Sequence, residues 1–402
     1  MAPSAPQRLW RSDALLLAAS QAARLAGPGL ALIYLASAWP PAAFGRFVTI
    51  YAFASLLALL PAVGLSAYLL DRSARAPRHA RAMLRQALLV LAGFAIIATA
   101  VAWTAIGVSA DFEAPLVLTL LVAMLLAGAC EVTIASLRAQ RQERAVALLA
   151  VPANAALLGF AFFTAASGPL TVALAWLIIR AVQATLLIVT TWRLLPEGEA
   201  RPPPLRSALP FFASQSAGIA YGQADTLLVH ALLGEVAAGL YNAALRLLQL
   251  ASFAAQALAQ WFQPRLASLA VASPEWQAQR RRLHFCLGAI AFGGFAAFTL
   301  FGHIGIGLLF GPAYAGAVPI LQLAGAVLLA RCLVAGLWIE LTARLLELHR
   351  ARDAWLLLLL FAALAWPLAA IQGPVGVMLA HLLALGPIAA FSARSLARAR
   401  QV

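Results

Sequence analysis

The sequence predicts an all-α protein that crosses a membrane about twelve times, arranged as two six-helix halves. Three observations predict it. Apolar runs long enough to cross a bilayer recur along the chain, arginine alternates between rich and poor inter-run segments, and the two halves match at a fixed offset. Of 402 residues, 63% are hydrophobic and only 10% charged, a balance no soluble core of this length requires. A hydrocarbon core about 30 Å thick needs roughly 20 apolar residues in helical form. A transmembrane β-barrel would show alternating segments of about ten residues, and none occur.

The runs fall at 13–37, 45–70, 86–109, 115–137, 145–167, 169–192, 208–233, 236–264, 285–306, 317–340, 354–370 and 374–393. The first is too long for a cleaved signal peptide and reads as a signal anchor. All 28 basic residues are arginine, and 23 of them lie in the N-terminal tail, the even-numbered loops and the C-terminal tail. Arg72, Arg75, Arg78, Arg81 and Arg85 fill one such loop, whereas the odd-numbered loops hold only Arg46. This is the positive-inside pattern, and it places both termini in the cytoplasm. The net charge of +14 therefore records topology and contact with anionic headgroups, not nucleic-acid binding. Richness in Ala, Leu and Arg without lysine is the composition of a GC-rich bacterial genome, so the membrane is expected to be a bacterial inner membrane. Trp10 and Trp39 flank span 1, and Trp103, Trp192 and Trp355 lie towards other span ends, as interfacial anchors do.

The segment at 193–207, "RLLPEGEARPPPLRS", is Pro-rich and charged, and divides six spans from six. It is read as a cytoplasmic linker between lobes at 1–192 and 208–402. At an offset of 194, "ALLLAASQAARLAG" lies over "ALPFFASQSAGIAY", and Ala43 and Gly45 fall on Ala237 and Gly239. An even number of spans per half makes the repeats parallel, and parallel-repeat transporters carry substrate between their halves.

The stretch "LPFFASQSAGIAYGQADTLLVHALLGEVAAGLYNAALRLLQLASFAAQALAQWFQPRLASL" resembles the start of the second half of a Wzx-type polysaccharide/O-antigen flippase. The resemblance rests on an Asp ahead of an apolar run, a Leu-Gly turn, Gly-hydrophobic-Tyr-x-Ala-Ala and a late Pro-Arg. "AFGRFVTIYAFASLLALLPAVGLSAYLLDR" agrees in the first half. This oligosaccharide flippase family belongs to the multidrug/oligosaccharidyl-lipid/polysaccharide exporter superfamily. The resemblance implies a MATE-like fold of two six-helix lobes in a V, with a central cavity lined largely by spans 1, 2, 7 and 8.

Four arginines, Arg24, Arg180, Arg246 and Arg331, fall at mid-span. Each costs roughly 2.5–3.5 kcal/mol at a helix centre, so all four must face protein or water. In span 8, Asn242, Arg246, Gln249, Gln256, Gln260 and Gln263 are separated by 4, 3, 7, 4 and 3 residues, which is one helical face. Such a stripe either lines a hydrated path or serves as hydrogen-bond glue between helices; its length favours the path. Span 1 carries Gln21 and Arg24 ahead of Gly27-Pro28-Gly29, and Gln183 lies one turn beyond Arg180. Only Glu131 and Asp225 are acids well inside a span, which leaves the interior net positive. Guanidinium pairs bidentately with phosphate. The expected substrate contacts are Arg24, Arg246, Gln21, Asn242, Gln249, Gln256 and Gln260. Asp225 would pair with an intramembrane arginine, carry a coupling ion, or be solvated near the outer interface.

Cys130, Cys286 and Cys332 sit singly in apolar spans and are read as packing residues. His230, His303 and His381 lie on three spans with no metal spacing, so structural or interfacial roles are expected and no metal or cofactor is. There is no phosphate-binding Gly-rich loop, no room for a soluble catalytic domain, and no paired carboxylates in a loop. The expectation is a non-enzymatic flippase for a polyprenyl-pyrophosphate-linked oligosaccharide in cell-surface polysaccharide or lipopolysaccharide synthesis. It would work by alternating access, with membrane lipids and a polymerase or ligase as partners. The alternatives are a cation-coupled multidrug exporter of the same superfamily, and a polytopic polysaccharide polymerase or ligase.

The topology predicts that a single cysteine placed at 71–85 labels only from the cytoplasmic side and one placed at 307–316 only from outside. Impermeant thiol labelling of intact and opened cells reads this directly, and reversal at either loop overturns the assignment.

Overall fold

The structure, a computed structural model, describes residues 23–24, 27–108, 112–196, 205–271 and 273–398. Its long elements are all helices: α1 (Gly27–Ala38), α2 (Pro41–Arg75), α3 (Ala80–Val108), α4 (Ala114–Ala139), α5 (Glu143–Thr164), α6 (Pro169–Leu194), α7 (Leu209–Ala267), α8 (Pro274–Phe310), α9 (Val318–Ala343) and α10 (Glu347–Arg398). Among the described residues, nine helices are long and apolar enough to cross a membrane, and α1 is shorter. Two of them are each a pair of helices joined through a glycine with positive φ, Gly234 (81°) in α7 and Gly373 (60°) in α10. A side chain at such a φ is strained, so glycine makes these sharp turns. Read on both sides of the two glycines, with α1 as the described part of span 1, the helices match the twelve apolar runs one to one. The protein is an all-α polytopic membrane protein.

The outward surface is that of a protein in lipid. Ile96 and Ile97 of α3 are 74% and 58% exposed, and Phe285 and Leu308 of α8 are 78% and 82% exposed. In water such faces would form large sticky patches; against acyl chains they match the solvent.

Local chemistry sets the helix ends. Ser273 caps α8, its Oγ accepting the Trp276 N–H at 3.1 Å, with Pro274 and Glu275 in the first turn. The ends of α4 and α9 are alike. Past α4, Arg141 is left-handed (φ 57°), and the Gln142 and Arg141 N–H groups donate to Leu137 and Arg138 carbonyls. Past α9, Leu345 is left-handed (φ 60°), and the Leu346 and Leu345 N–H groups donate to Leu341 and Thr342. Both are the paired-bond stop usually built on glycine. The same unusual stop after the fourth span of each half is structural support for an internal repeat.

The chain forms two compact units. The first comprises residues up to Tyr34 and Ile50–Ile219; the second comprises Leu35–Thr49 and Ala220–Val402. Residues 197–204 of the expected linker lie outside the described residues. In the first unit α4 packs against α3 and α6. Leu69, Met83, Leu84 and Val132 share one apolar cluster, and Cys130, Leu137, Val146 and Leu187 another. Gly64 of α2 packs on the backbone of Phe212, the reason the start of α7 joins this unit. In the second unit α9 packs against α8 and α10, with Leu337, Leu341 and Leu396 in contact and Cys332 buried.

A helix crossing holds 35–49 in the second unit. A methyl on Gly45 would overlap the Glu235 carbonyl oxygen and stand 2.7 Å from Gly239 N; a methyl on Gly239 would overlap the Pro41 carbonyl. The contacts are reciprocal, because Pro41 and Gly45 stand to Glu235 and Gly239 at the repeat offset of 194. Beside them Arg46 forks onto Glu235, Nε to Oε1 at 2.6 Å and Nη2 to Oε2 at 3.2 Å. Trp39, expected as an interfacial anchor, is only 8% exposed. Its ring meets Phe47 edge-on at 5.2 Å, and its carbonyl accepts the Tyr314 hydroxyl at 3.0 Å. Close backbone approach at the crossing draws it inward.

Gly45→Ala and Gly239→Ala should each lower the stability of the purified protein by about 1–3 kcal/mol, since backbone cannot yield to the new methyl. Gly93→Ala, where nothing stands within 4 Å of the added methyl, should be neutral or slightly stabilising. Thermal unfolding in one detergent compares the three.

Candidate substrate and ion-coupling site

The mid-span polar residues of the second unit form one connected network. On the first half of α7, Tyr221 and Asp225 lie one turn apart and share a face. On its second half Asn242, Arg246 and Gln249 follow at the same kind of spacing, with Tyr241 next to Asn242. Asp225 is buried; its Oδ2 accepts the Tyr241 hydroxyl at 3.0 Å and lies 3.2 Å from His381 Nε2, while Oδ1 accepts the Thr226 N–H at 2.6 Å. The other ring nitrogen of His381 is 2.6 Å from the Tyr221 hydroxyl, and Phe361 stacks on the imidazole at 4.2 Å. The Arg331 guanidinium lies 5.7 Å from the Tyr221 ring centre. Thr226 Oγ1 donates to Asn242 Oδ1 at 3.1 Å, and the same oxygen accepts Arg246 Nη2 at 3.2 Å. Arg246 Nη1 donates to Gln249 Oε1 at 2.7 Å. Contacts thus run without a break from Arg331 to Gln249.

This divides the polar stripe of span 8. Asn242 and Arg246 are buried, 0% and 8% exposed, whereas Gln249 is half-buried and Gln256 exposed. The side chain of Gln260 lies outside the described residues. Asp225 is partnered by His381, Tyr241 and Thr226; it makes no ion pair with Arg246.

The first unit treats its arginines in two ways. Arg24 Nη1 meets Glu131 Oε2 at 2.6 Å, a pair between span 1 and α4. Arg180 instead donates to two amide oxygens, Gln183 Oε1 at 2.6 Å and Asn154 Oδ1 at 3.4 Å. The contact to Gln183 repeats that of Arg246 to Gln249, three residues further along the same helix. Gln21 lies outside the described residues. Among those described, neither Arg180 nor Arg331 has a carboxylate partner, so amides and an aromatic face hold these cations without cancelling them.

Two buried acids escape the sequence reading, and His381, named there only as a structural or interfacial histidine, joins the network at Asp225. His381 lies on an apolar span with no patterned neighbour, and only its identity as a polar residue at mid-span could have flagged it. Glu340 ends the apolar run of span 10 yet is fully buried, bound by Arg280 Nε at 2.7 Å and His284 Nε2 at 2.6 Å. Asp353, just ahead of span 11, is also buried and accepts Ser392 Oγ at 2.6 Å. Helices α9 and α10 extend past the hydropathy boundaries and carry these acids into protein.

A family model described as polysaccharide biosynthesis protein matches residues 12–269. No curated protein matches the chain. Among solved structures, an inward-facing multidrug resistance MATE family transporter of the MOP superfamily superimposes with a TM-score of 0.74 at 13% identity, covering 94% of this chain and 96% of that one. The lipid II flippase MurJ in an inward closed conformation gives 0.73 at 12% identity, covering 95% and 87%. A MOP superfamily transporter from Pyrococcus furiosus, described as having a binding pocket of reversed polarity, gives 0.60 at 13% identity, covering 95% and 94%. At these identities the likeness is one of fold.

The network predicts where coupling lies. In a double-mutant cycle, Asp225→Ala with His381→Ala should show a stability coupling of about 1 kcal/mol or more. The cycle of Asp225→Ala with Arg246→Ala should be closer to additive. Denaturation of the purified variants measures both; a larger Asp225–Arg246 coupling would contradict the observed pairing.

Proposed function

The chain belongs to the polysaccharide biosynthesis protein family, and from that premise we propose that it is a flippase. Its cargo is a polyprenyl-pyrophosphate-linked oligosaccharide, moved from the cytoplasmic to the outer leaflet of a bacterial inner membrane for surface polysaccharide or lipopolysaccharide. The observation that carries the reading is the excess of guanidinium over carboxylate among the mid-span groups. Among the described residues Arg24 is matched by Glu131, Asp225 by His381, and Arg180 and Arg331 form no ion pair with a carboxylate. A positive interior favours an anionic cargo and repels cationic drugs. Arg246 has the suitable chemistry for the pyrophosphate: amide oxygens on both sides orient its planar fork and bring no negative charge of their own.

In this reading Arg246 receives phosphate oxygens, Arg24 joins it by exchanging Glu131 for phosphate, and Gln21, Asn242, Gln249, Gln256 and Gln260 offer hydrogen bonds to sugar and phosphate. The lobes at 1–192 and 208–402, joined by 193–207, exchange access between the two sides. The Asp225–His381 pair, buried and joined to Tyr221 and Tyr241, is the natural place for a coupling proton. The isoprenoid tail stays in the bilayer.

Proteoliposomes that present a fluorescent polyprenyl-pyrophosphate oligosaccharide, and in parallel a cationic dye, test the proposal. Wild-type protein should flip the lipid-linked sugar and leave the dye. Arg246→Ala should insert at normal abundance and lose about tenfold or more of the flipping rate, and Arg246→Lys, which keeps charge but not the fork, should retain part of it. Transport of the dye alone supports the multidrug exporter instead. Wild-type flipping by Arg246→Ala removes this arginine from the substrate site.

A further inference from the structure

Away from the polar network, the second unit joins two chemistries in one groove. The last turns of α7 and the first turns of α8 flank an open groove of about 700 Å³. Its walls are apolar, with Ala257, Leu258, Trp261 and Phe262 on α7 and Phe285 and Cys286 on α8. Arg281 and Arg282 complete the lining, each four residues before its apolar neighbour and so on the same helical faces as Phe285 and Cys286. Among the described residues no acid lines the groove. The neighbouring Arg280 is bound to Glu340, but among the described residues Arg281 and Arg282 have neither an ion pair nor a hydrogen bond. A third cation stands close by, because the Arg265 guanidinium lies 3.3 Å from the Trp261 ring centre and caps the indole.

A trough of aromatic and aliphatic walls accepts a hydrocarbon chain. Two exposed guanidiniums at its rim, with a third one turn beyond Trp261, accept a phosphate and repel an ammonium. These arginines belong to the arginine-rich side of the protein, where the adjoining leaflet supplies phosphate headgroups. We propose that the groove is a binding site for an anionic phospholipid, with one acyl chain between Trp261 and Phe285 and the phosphate at Arg281 and Arg282. Charge complementarity selects the occupant: a zwitterionic lipid would bring its ammonium against the same cluster. Two arginines at a membrane surface give the anionic lipid a preference of roughly thirtyfold. The site stands apart from Arg246 and does not depend on the flippase reading.

Cys286 is a native reporter inside the groove. In protein carrying Cys130→Ala and Cys332→Ala, alkylation of Cys286 by the uncharged N-ethylmaleimide is followed in vesicles of phosphatidylcholine, with and without phosphatidylglycerol. Phosphatidylglycerol should slow alkylation about fivefold or more. In Arg281→Gln/Arg282→Gln protein the slowing should vanish, whereas a general surface-charge effect would persist in that variant and overturn the proposal. Native mass spectrometry gives a second readout: phosphatidylglycerol should be retained over phosphatidylcholine, and Ala257→Phe, which fills the trough, should abolish retention. Equal alkylation in both vesicles rejects the site. Protection by trace polyprenyl phosphate but not by phosphatidylglycerol also rejects it and assigns the groove to an isoprenoid lipid.

Discussion

Hydrocarbon cannot solvate a guanidinium or a carboxylate, and this constraint organises the interior of both units. Each mid-span arginine in the described residues meets protein. Arg24 meets a carboxylate, Arg180 and Arg246 meet amide oxygens, and Arg331 meets an aromatic face. The choice of partner matters more than its presence. A carboxylate cancels the charge and makes a structural tie. An amide oxygen fixes the geometry and contributes no charge. The glutamines three residues after Arg180 and Arg246 therefore act as orienting groups on their own helices.

The repeat is visible in backbone chemistry more clearly than in sequence. Gly45 and Gly239 face one another's helices through reciprocal contacts, and the helices after Leu137 and Leu341 stop by the same pair of bonds around a left-handed residue that is not glycine. Both are expensive local solutions. Close backbone approach forbids a side chain, and a left-handed arginine or leucine costs more than glycine would. Their recurrence at matching places favours an inherited repeat over coincidence in alanine-rich sequence.

Buried acids sort the second unit into distinct regions. Asp225 sits with His381 and two tyrosines at mid-span, whereas Glu340 and Asp353 sit at the arginine-rich end with Arg280, His284 and Arg352. The end clusters bind helix termini together where arginine is plentiful. The mid-span cluster has hydroxyl and imidazole partners in place of the guanidiniums that bind the end clusters.

Sequence by itself determined the twelve apolar runs, the arginine-rich side, the turn at Gly234 and the identity of the mid-span charges. Hydropathy and helical spacing are local properties, and a membrane imposes them segment by segment. It determined the face shared by Arg180 and Gln183, and by Arg246 and Gln249, because those pairs lie within one turn. Tertiary structure alone decided that Asp225 answers to His381, 156 residues away, that Arg24 answers to Glu131, and that Trp39 turns inward. It also decided that the polar stripe of span 8 is buried at Arg246 and exposed at Gln256. The physical reason is the same in each case: a side chain's partner in a helical membrane protein comes from whichever helix packs beside it, and that neighbour is set by close approach at small residues, which hydropathy does not encode.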